Sequence, residues 1–405
     1  MNTSIMDTQK EVSAWSANKL FENTEVAFAE KNDTELKHAY RLFKLMDKNW
    51  LIKMGNPLLL CALKLRFPID NIIKSTVYDH FCGGETVKDA EQKINCLAKF
   101  GIETALDYGI EAKQTEKDFE HVANEIINNA NIAKNNQAIT FLSLKMTGIA
   151  NITLLEKITK TELLNAHEKQ LLERVKKRFD AICNAVAEAG ISLYIDAEES
   201  WIQQSIDDLT MEMMAKYNTK RAVVFNTLQM YRTDRLDYLK ACYDEAVKNN
   251  FVLGIKFVRG AYLDKEQRRA AEKKYPSPVY FVKKDTDNNF NAGLEFCVKH
   301  IDKIAVCAAT HNEDSCLLLM TLMKDANIAP QSKSAYFSQL YGMSNHISYN
   351  LGKAGYHVSK YLPYAPLKAV MPYLLRRSKE NTSMAGQMGR ELRLLTTEMK
   401  RRKLL

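Results

Sequence analysis

The sequence contains no CxxC, no HxH or HExxH, and no GxGxxG after any strand-like run. The first absence removes the spacing of a structural zinc site or a dithiol redox motif. The second removes the helix-borne histidine pair of metallohydrolases, so no metal is expected. The third argues against a doubly wound dinucleotide fold, whose glycines let the backbone reach a pyrophosphate. No apolar run approaches 18 residues. The longest, residues 57–63, is far too short to cross a bilayer as a helix. The opening MNTSIMDTQKEVSAW has no apolar centre and no arginine, and it carries Asp7 and Glu11, so it does not read as a secretory or transit peptide. Zinc-finger spacing, an RNA-recognition signature and a dense basic stripe are all missing, so nothing suggests nucleic acid.

What is present is a 405-residue chain, long enough for one large α/β domain with an extension, or for two domains. Fifty-seven basic against 49 acidic residues give a formal charge of +8, which permits an anionic ligand or an acidic membrane surface without demanding either. The eight cysteines are scattered, as free thiols in a reducing compartment would be. The run Lys400, Arg401, Arg402, Lys403 reads as a solvated tail.

Residues 1 to about 100 read as helices only. Leu36, Tyr40, Phe43 and Met46 recur at helical spacing, and a second helical pattern opens at the cap Thr86 and ends at Gly101. From there short β-like runs alternate with amphipathic stretches. Eight candidate strands fall at 103–111, 138–145, 191–196, 221–227, 251–260, 303–311, 334–340 and 356–362. The helices between them end in Gly or Asn just before the next strand, as βα units do. Eight such units over about 300 residues predict a (βα)8 barrel, with an open doubly wound sheet as the alternative. The stretch from about 147 to 190 is longer than one barrel helix needs.

A barrel carries its site at the C-terminal ends of its strands. Polar residues gather at those predicted ends: Asp107, Glu111, Lys145, Asp196, Gln229, Arg259 with Tyr262, Thr310-His311-Asn312, and Tyr361. Asn312 also reads as the cap of the next helix. Gly260 and Ala261 are small enough for close backbone approach to a flat or phosphorylated ligand. In YLPYAPLKAVMPYLLRRSKEN (361–381), Pro363 and Pro366 mark a turn, and Pro372 is tolerable only in the first turn of the helix that follows. Tyr373, Arg376, Arg377 and Glu380 share one helix face. That face is either a solvated Arg–Glu pair or a guanidinium clamp for a carboxylate, and spacing alone leaves both open.

The segments KFVRGAYL, ATHNE, QLYGM (339–343) and YLPYAPLKAVMPYLLRRSKEN resemble the signature segments of the proline dehydrogenase family, in its order and at its separations. DYGIEA, SLK, DAEE and HFCGGET (80–86) match as well, so the resemblance spans roughly residues 20 to 400. It implies a distorted (βα)8 TIM-like barrel (101–405) behind an N-terminal all-helical region (1–100). It implies FAD, and oxidation of L-proline to Δ1-pyrroline-5-carboxylate by hydride transfer from C5 to flavin N5. Electrons would pass to a membrane quinone, with peripheral membrane contact. No room remains for an aldehyde dehydrogenase module, so the product would go to a separate pyrroline-5-carboxylate dehydrogenase.

By the same resemblance, Lys145, Arg376 and Arg377 would bind the proline carboxylate. Glu380 would support an arginine, and Glu111 would pair with Arg376 over the substrate. Tyr262, Leu340, Tyr361 and Tyr373 would wall the ring, with Tyr361 disfavouring hydroxyproline. Asp196 and Lys256 would act beside the flavin as catalytic groups. Ala197, Gln229, Lys256, Val258, Arg259, Gly260, Ala261, Thr310, His311 and Asn312 would contact FAD. Two departures stand out: Lys256 replaces the Arg of many bacterial members, and Ala365 stands where Gly is frequent. The expected location is the cytoplasm or the cytoplasmic face of a bacterial inner membrane, or the mitochondrion for a mature eukaryotic form. The competing readings are a hydroxyproline dehydrogenase, another flavin barrel such as a methylenetetrahydrofolate reductase relative, and an inactive helical scaffold.

Overall fold

A computed structural model describes residues 20–46, 70–110, 114–383 and 387–405; within these, the side chains of residues 46, 70, 72, 377–383, 387 and 388 lie outside the description. Eight strands close into a barrel in sequence order: β1 (Glu103–Tyr108), β2 (Ile139–Lys145), β3 (Ser192–Asp196), β4 (Val224–Gln229), β5 (Leu253–Val258), β6 (Ile304–Ala309), β7 (Ala335–Leu340) and β8 (Val358–Tyr364). Adjacent strands from β2 to β7 pair in parallel. All eight predicted strands are present, and the open-sheet alternative falls. The chain divides into two compact units, 105–338 and the pair of segments 1–104 and 339–405.

In the 105–338 unit the strands are almost wholly buried, as parallel strands flanked by helices must be; β4 is buried at every position. Phe141 and Tyr194 stack at 4.2 Å, and Phe225 and Tyr336 meet Phe141 edge-on, so side chains fill the interior. The long stretch after β2 is two helices, Ile152–Thr159 and Ala166–Glu188, the second opened by an Asn165–Glu168 capping box. Below β4 the buried amide of Asn218 accepts from the N–H groups of Val223 and Val224 and donates to the carbonyls of Val224 and Val252. That clamp holds the chain before Val224, and β4 begins three residues later than the sequence pattern predicts.

In the other unit, helix Val87–Ala98 is opened by a capping box between Thr86 and Asp89. Helix Asp33–Met46 buries Leu36, Ala39, Leu42 and Phe43. The second helical pattern, from Thr86 to Gly101, is the helix Val87–Ala98, and the continuation of the first pattern over 47–69 lies outside the described residues. Three expectations are corrected. β8 runs through Pro363 to Tyr364, so Tyr361 does not end it; the Pro363 carbonyl accepts from the Gly83 N–H at 2.8 Å. Pro372 is not in the first turn: helix Leu367–Ser383 starts at Leu367 and contains Pro372 at its sixth position. The terminal basic run is not simply solvated. Arg402 donates to the carbonyls of Phe28 and Lys31 and to Glu398, whose carboxylate also takes Arg401.

Candidate active site

The end of β3 carries the centre of the site. Register pairs Lys145 with Asp196, so both side chains reach the same end of the sheet. Lys256 Nζ donates to Asp196 Oδ1 at 2.5 Å, and Lys145 Nζ donates to Asp196 Oδ2 at 3.3 Å. Lys145 also lies 3.9 Å from Asp107, which accepts from the Ser143 hydroxyl at 2.5 Å. Two ammoniums and two carboxylates thus alternate in a largely buried array, which offsets the desolvation of each. Lys256 lies 4.6 Å over the Tyr194 ring and is held tightly. Lys145 meets both carboxylates at longer range, so an incoming anion can compete for it.

A second network links the ends of β2, β3, β4 and β5. Glu198 is 3% exposed. Its carboxyl group accepts from the Thr147 N–H at 3.0 Å and from the Thr147 hydroxyl. Its backbone carbonyl accepts from Gln229 Nε2 at 2.7 Å, and Gln229 Oε1 accepts from the Ala261 N–H at 3.1 Å. Burial pushes the Glu198 carboxyl up to about 7, against the lowering by its Thr147 hydrogen bonds. Glu198 and Gln229 together therefore tie the segment just after Lys145 to the loop just after Gly260.

Arg259 anchors the far side. It donates to Asp287 at 2.6 Å, to the Thr310 hydroxyl at 2.5 Å and to the Ser315 hydroxyl at 3.0 Å, with its guanidinium 4.5 Å over the Phe290 ring. Burial works to raise the Asp287 carboxyl, but its bonds to Lys283 and Arg259 win and hold it below the usual range. Gly260 has φ +141°, and a Cβ there would lie 2.5 Å from the Tyr231 ring. Asn312 does cap the helix Glu313–Asp325, accepting from the Ser315 N–H at 2.8 Å. It also donates its own backbone N–H to Thr310.

The 105–338 unit therefore joins Lys145, Asp196 and Lys256 in one group, Gln229 and Ala261 in a second, and Arg259 and Thr310 in a third. Ala197, Val258, Tyr262 and His311 lie at the same strand ends. In the other unit, Leu340 closes β7 and Tyr361 lies within β8, both half-buried; Tyr373 is buried and Arg376 half-buried on helix Leu367–Ser383. Arg377 and Glu380 are on that helix, but their side chains lie outside the described residues, as does Glu111 altogether. Sequence reasoning missed Glu198, Thr147, Asp287 and Ser315. Only Glu198 left a trace, inside DAEE, where it looks like one of two solvated acids. It also missed Lys360, buried on β8 with its Nζ donating to the Met343 carbonyl; burial pulls that ammonium down to about 7.

Comparison with known proteins bears on the family and the fold. A family model described as proline dehydrogenase matches residues 90–390. The carbapenem antibiotics biosynthesis protein CarD of Pectobacterium carotovorum subsp. carotovorum is 32% identical over 81% of this chain and 85% of its own length. Mitochondrial proline dehydrogenase 1 of Dictyostelium discoideum is 30% identical over 95% of this chain and 75% of its own. The human mitochondrial proline dehydrogenase 1 is 37% identical over 58% of this chain and 40% of its own. The crystal structure of proline utilization A from Bdellovibrio bacteriovorus, inactivated by N-propargylglycine, superposes with a TM-score of 0.75 at 20% identity. That superposition covers 94% of this chain and 42% of the longer protein, and it bears on the fold alone. The chain belongs to the proline dehydrogenase family of oxidoreductases.

Proposed function

We propose that the protein oxidises L-proline to Δ1-pyrroline-5-carboxylate with FAD. The observation that carries this reading is the Lys145–Asp196–Lys256 array at the mouth of β2, β3 and β5, in a chain of this family. The donor set suits a flavin dinucleotide. The cations Lys256 and Arg259 and the polar side chains of Gln229, Thr310, His311 and Asn312 stand at the ends of β4, β5 and β6, matching a pyrophosphate and a polar ring edge. Exposed Gly260 and Ala261 offer bare backbone at that rim, and Ala197 and Val258 the apolar part. FAD, when bound, would supply the acceptor for the hydride that leaves proline C5.

The protein's own work is positioning. Asp196 orients both lysines, so that Lys145 meets the substrate carboxylate while Lys256 stays beside the flavin with its charge fixed. Arg376 and Arg377 add bidentate contacts to the carboxylate, Glu380 steadies one of them, and Glu111 closes over Arg376. Tyr262, Leu340, Tyr361 and Tyr373 wall the ring and favour proline over hydroxyproline. Electrons then leave to a membrane quinone, and a separate pyrroline-5-carboxylate dehydrogenase consumes the product. No described helix is long and apolar enough to cross a membrane.

The test is the visible spectrum of the purified protein before and after adding L-proline without oxygen. A flavin band that bleaches is expected. A band that persists would remove proline as substrate, and no band after added FAD would favour the inactive scaffold.

A further inference from the structure

Ten large apolar side chains are left exposed among the described residues, and three of them fall within eight positions: Tyr275, Phe281 at 80% and Val282 at 56%. They belong to the loop between helices Leu263–Lys273 and Lys283–Lys299. The loop is not loosely held. Val279 is 1% exposed and bridges Arg232, the Tyr280 N–H donates to the Tyr231 carbonyl at 2.8 Å, and the Thr233 N–H donates to the Pro278 carbonyl at 3.1 Å. A buried anchor two residues away thus presents Phe281 and Val282 to solvent, where ordinary folding would have turned them inward.

Exposed lysines bracket the apolar tip on both sides, Lys273 and Lys274 before it and Lys283 and Lys284 after it. Glu272 and Asp285 are the acids next to them in sequence, and Lys283 is paired with Asp287 at 2.5 Å. With Asp287 counted, four cations face three acids, Glu272, Asp285 and Asp287, which leaves the tip with a net charge of about +1. The loop follows helix Leu263–Lys273, which starts directly after the Arg259–Tyr262 turn.

We propose that this 273–284 surface docks on an anionic lipid bilayer, with Phe281 and Val282 entering the headgroup boundary and the lysines meeting acidic headgroups. An apolar tip ringed by cations is the chemistry of an interfacial anchor: apolar burial and headgroup attraction each contribute, and neither suffices alone. The inference rests on the reading above in one respect, that a quinone-reducing enzyme must reach a membrane. It adds which surface does so, close in sequence to the residues assigned to the flavin.

The experiment is flotation of the holoenzyme with vesicles of phosphatidylcholine alone and of phosphatidylcholine with phosphatidylglycerol. The wild type should bind the anionic vesicles and release them as salt rises. The double variants Phe281→Ser with Val282→Ser, and Lys273→Glu with Lys274→Glu, should each bind at least tenfold more weakly. Circular dichroism and dye-linked proline oxidation should match wild type. A wild type that ignores anionic vesicles, or variants that bind as it does, would overturn the proposal. So would variants that change only self-association, which would give the surface to a second copy of the chain. Vesicle binding is read without turnover, and dye-linked oxidation without vesicles, so failure of this proposal and failure of the proline reading are separate results.

Discussion

Replacing Glu198 with glutamine should remove a defined piece of the protein's pH dependence. The carboxyl is buried, and burial raises it from 4.5 to about 7. Below pH 4.5 the group is protonated both folded and unfolded, and its neutral hydrogen-bonded form costs the fold little. Between 4.5 and 7 the folded state keeps a proton that the unfolded state has lost, so stability falls as pH rises. Above 7 the folded state bears the full cost of a buried charge. A shift from 4.5 to 7, at about 1.4 kcal/mol per unit, makes the whole effect about 3 kcal/mol, and about 2–3 kcal/mol of it lies between pH 5 and pH 8. The glutamine side chain would keep a carbonyl acceptor for the Thr147 N–H and cannot titrate. Urea unfolding of both proteins at pH 5 and pH 8 gives a double difference in which every other group cancels. The wild type should lose about 2–3 kcal/mol more than Glu198→Gln over that interval. Equal losses, within about half a kcal/mol, would mean that Glu198 ionises as a solvated carboxyl does and carries no burial penalty.

Gly260→Ala should lower flavin content and thermal stability together, because its Cβ would lie 2.5 Å from the buried Tyr231 ring at a φ of +141°. The flavin-to-protein absorbance ratio and a melt check this, and both unchanged would exclude a tight turn there. Arg376→Met should raise the KM for proline about tenfold or more through loss of a charge-assisted contact. Steady-state kinetics reads it, and an unmoved KM would return Arg376 to the solvated pair that spacing alone allowed. Tyr361→Ser should shift the kcat/KM ratio toward hydroxyproline, and a ratio equal to wild type would free the ring wall of that role.

The barrel was legible because each βα unit carries local punctuation, and every predicted strand is present. Its boundaries were less so. Parallel strands buried on both faces read as continuous apolar runs, and nothing in such a run marks its end. At β4 the boundary is set by Asn218, which is not in the strand at all. At β8 a proline looked like a turn and is part of the strand. The site divides in the same way. Lys145 and Asp196 were readable as polar residues at strand ends and Lys256 only through the family resemblance, but their mutual bonding was not legible. Lys145 meets Asp196 because β2 and β3 pair in one particular register. Lys256 meets Asp196 for another reason: alternate strands of a closed barrel send side chains into a common layer, and β3 and β5 are alternate strands. One carboxylate can therefore serve a lysine beside it and a lysine two strands away. β3 and β5 flank β4 and so stand about 10 Å apart, a gap that the long lysine side chain spans to reach Asp196.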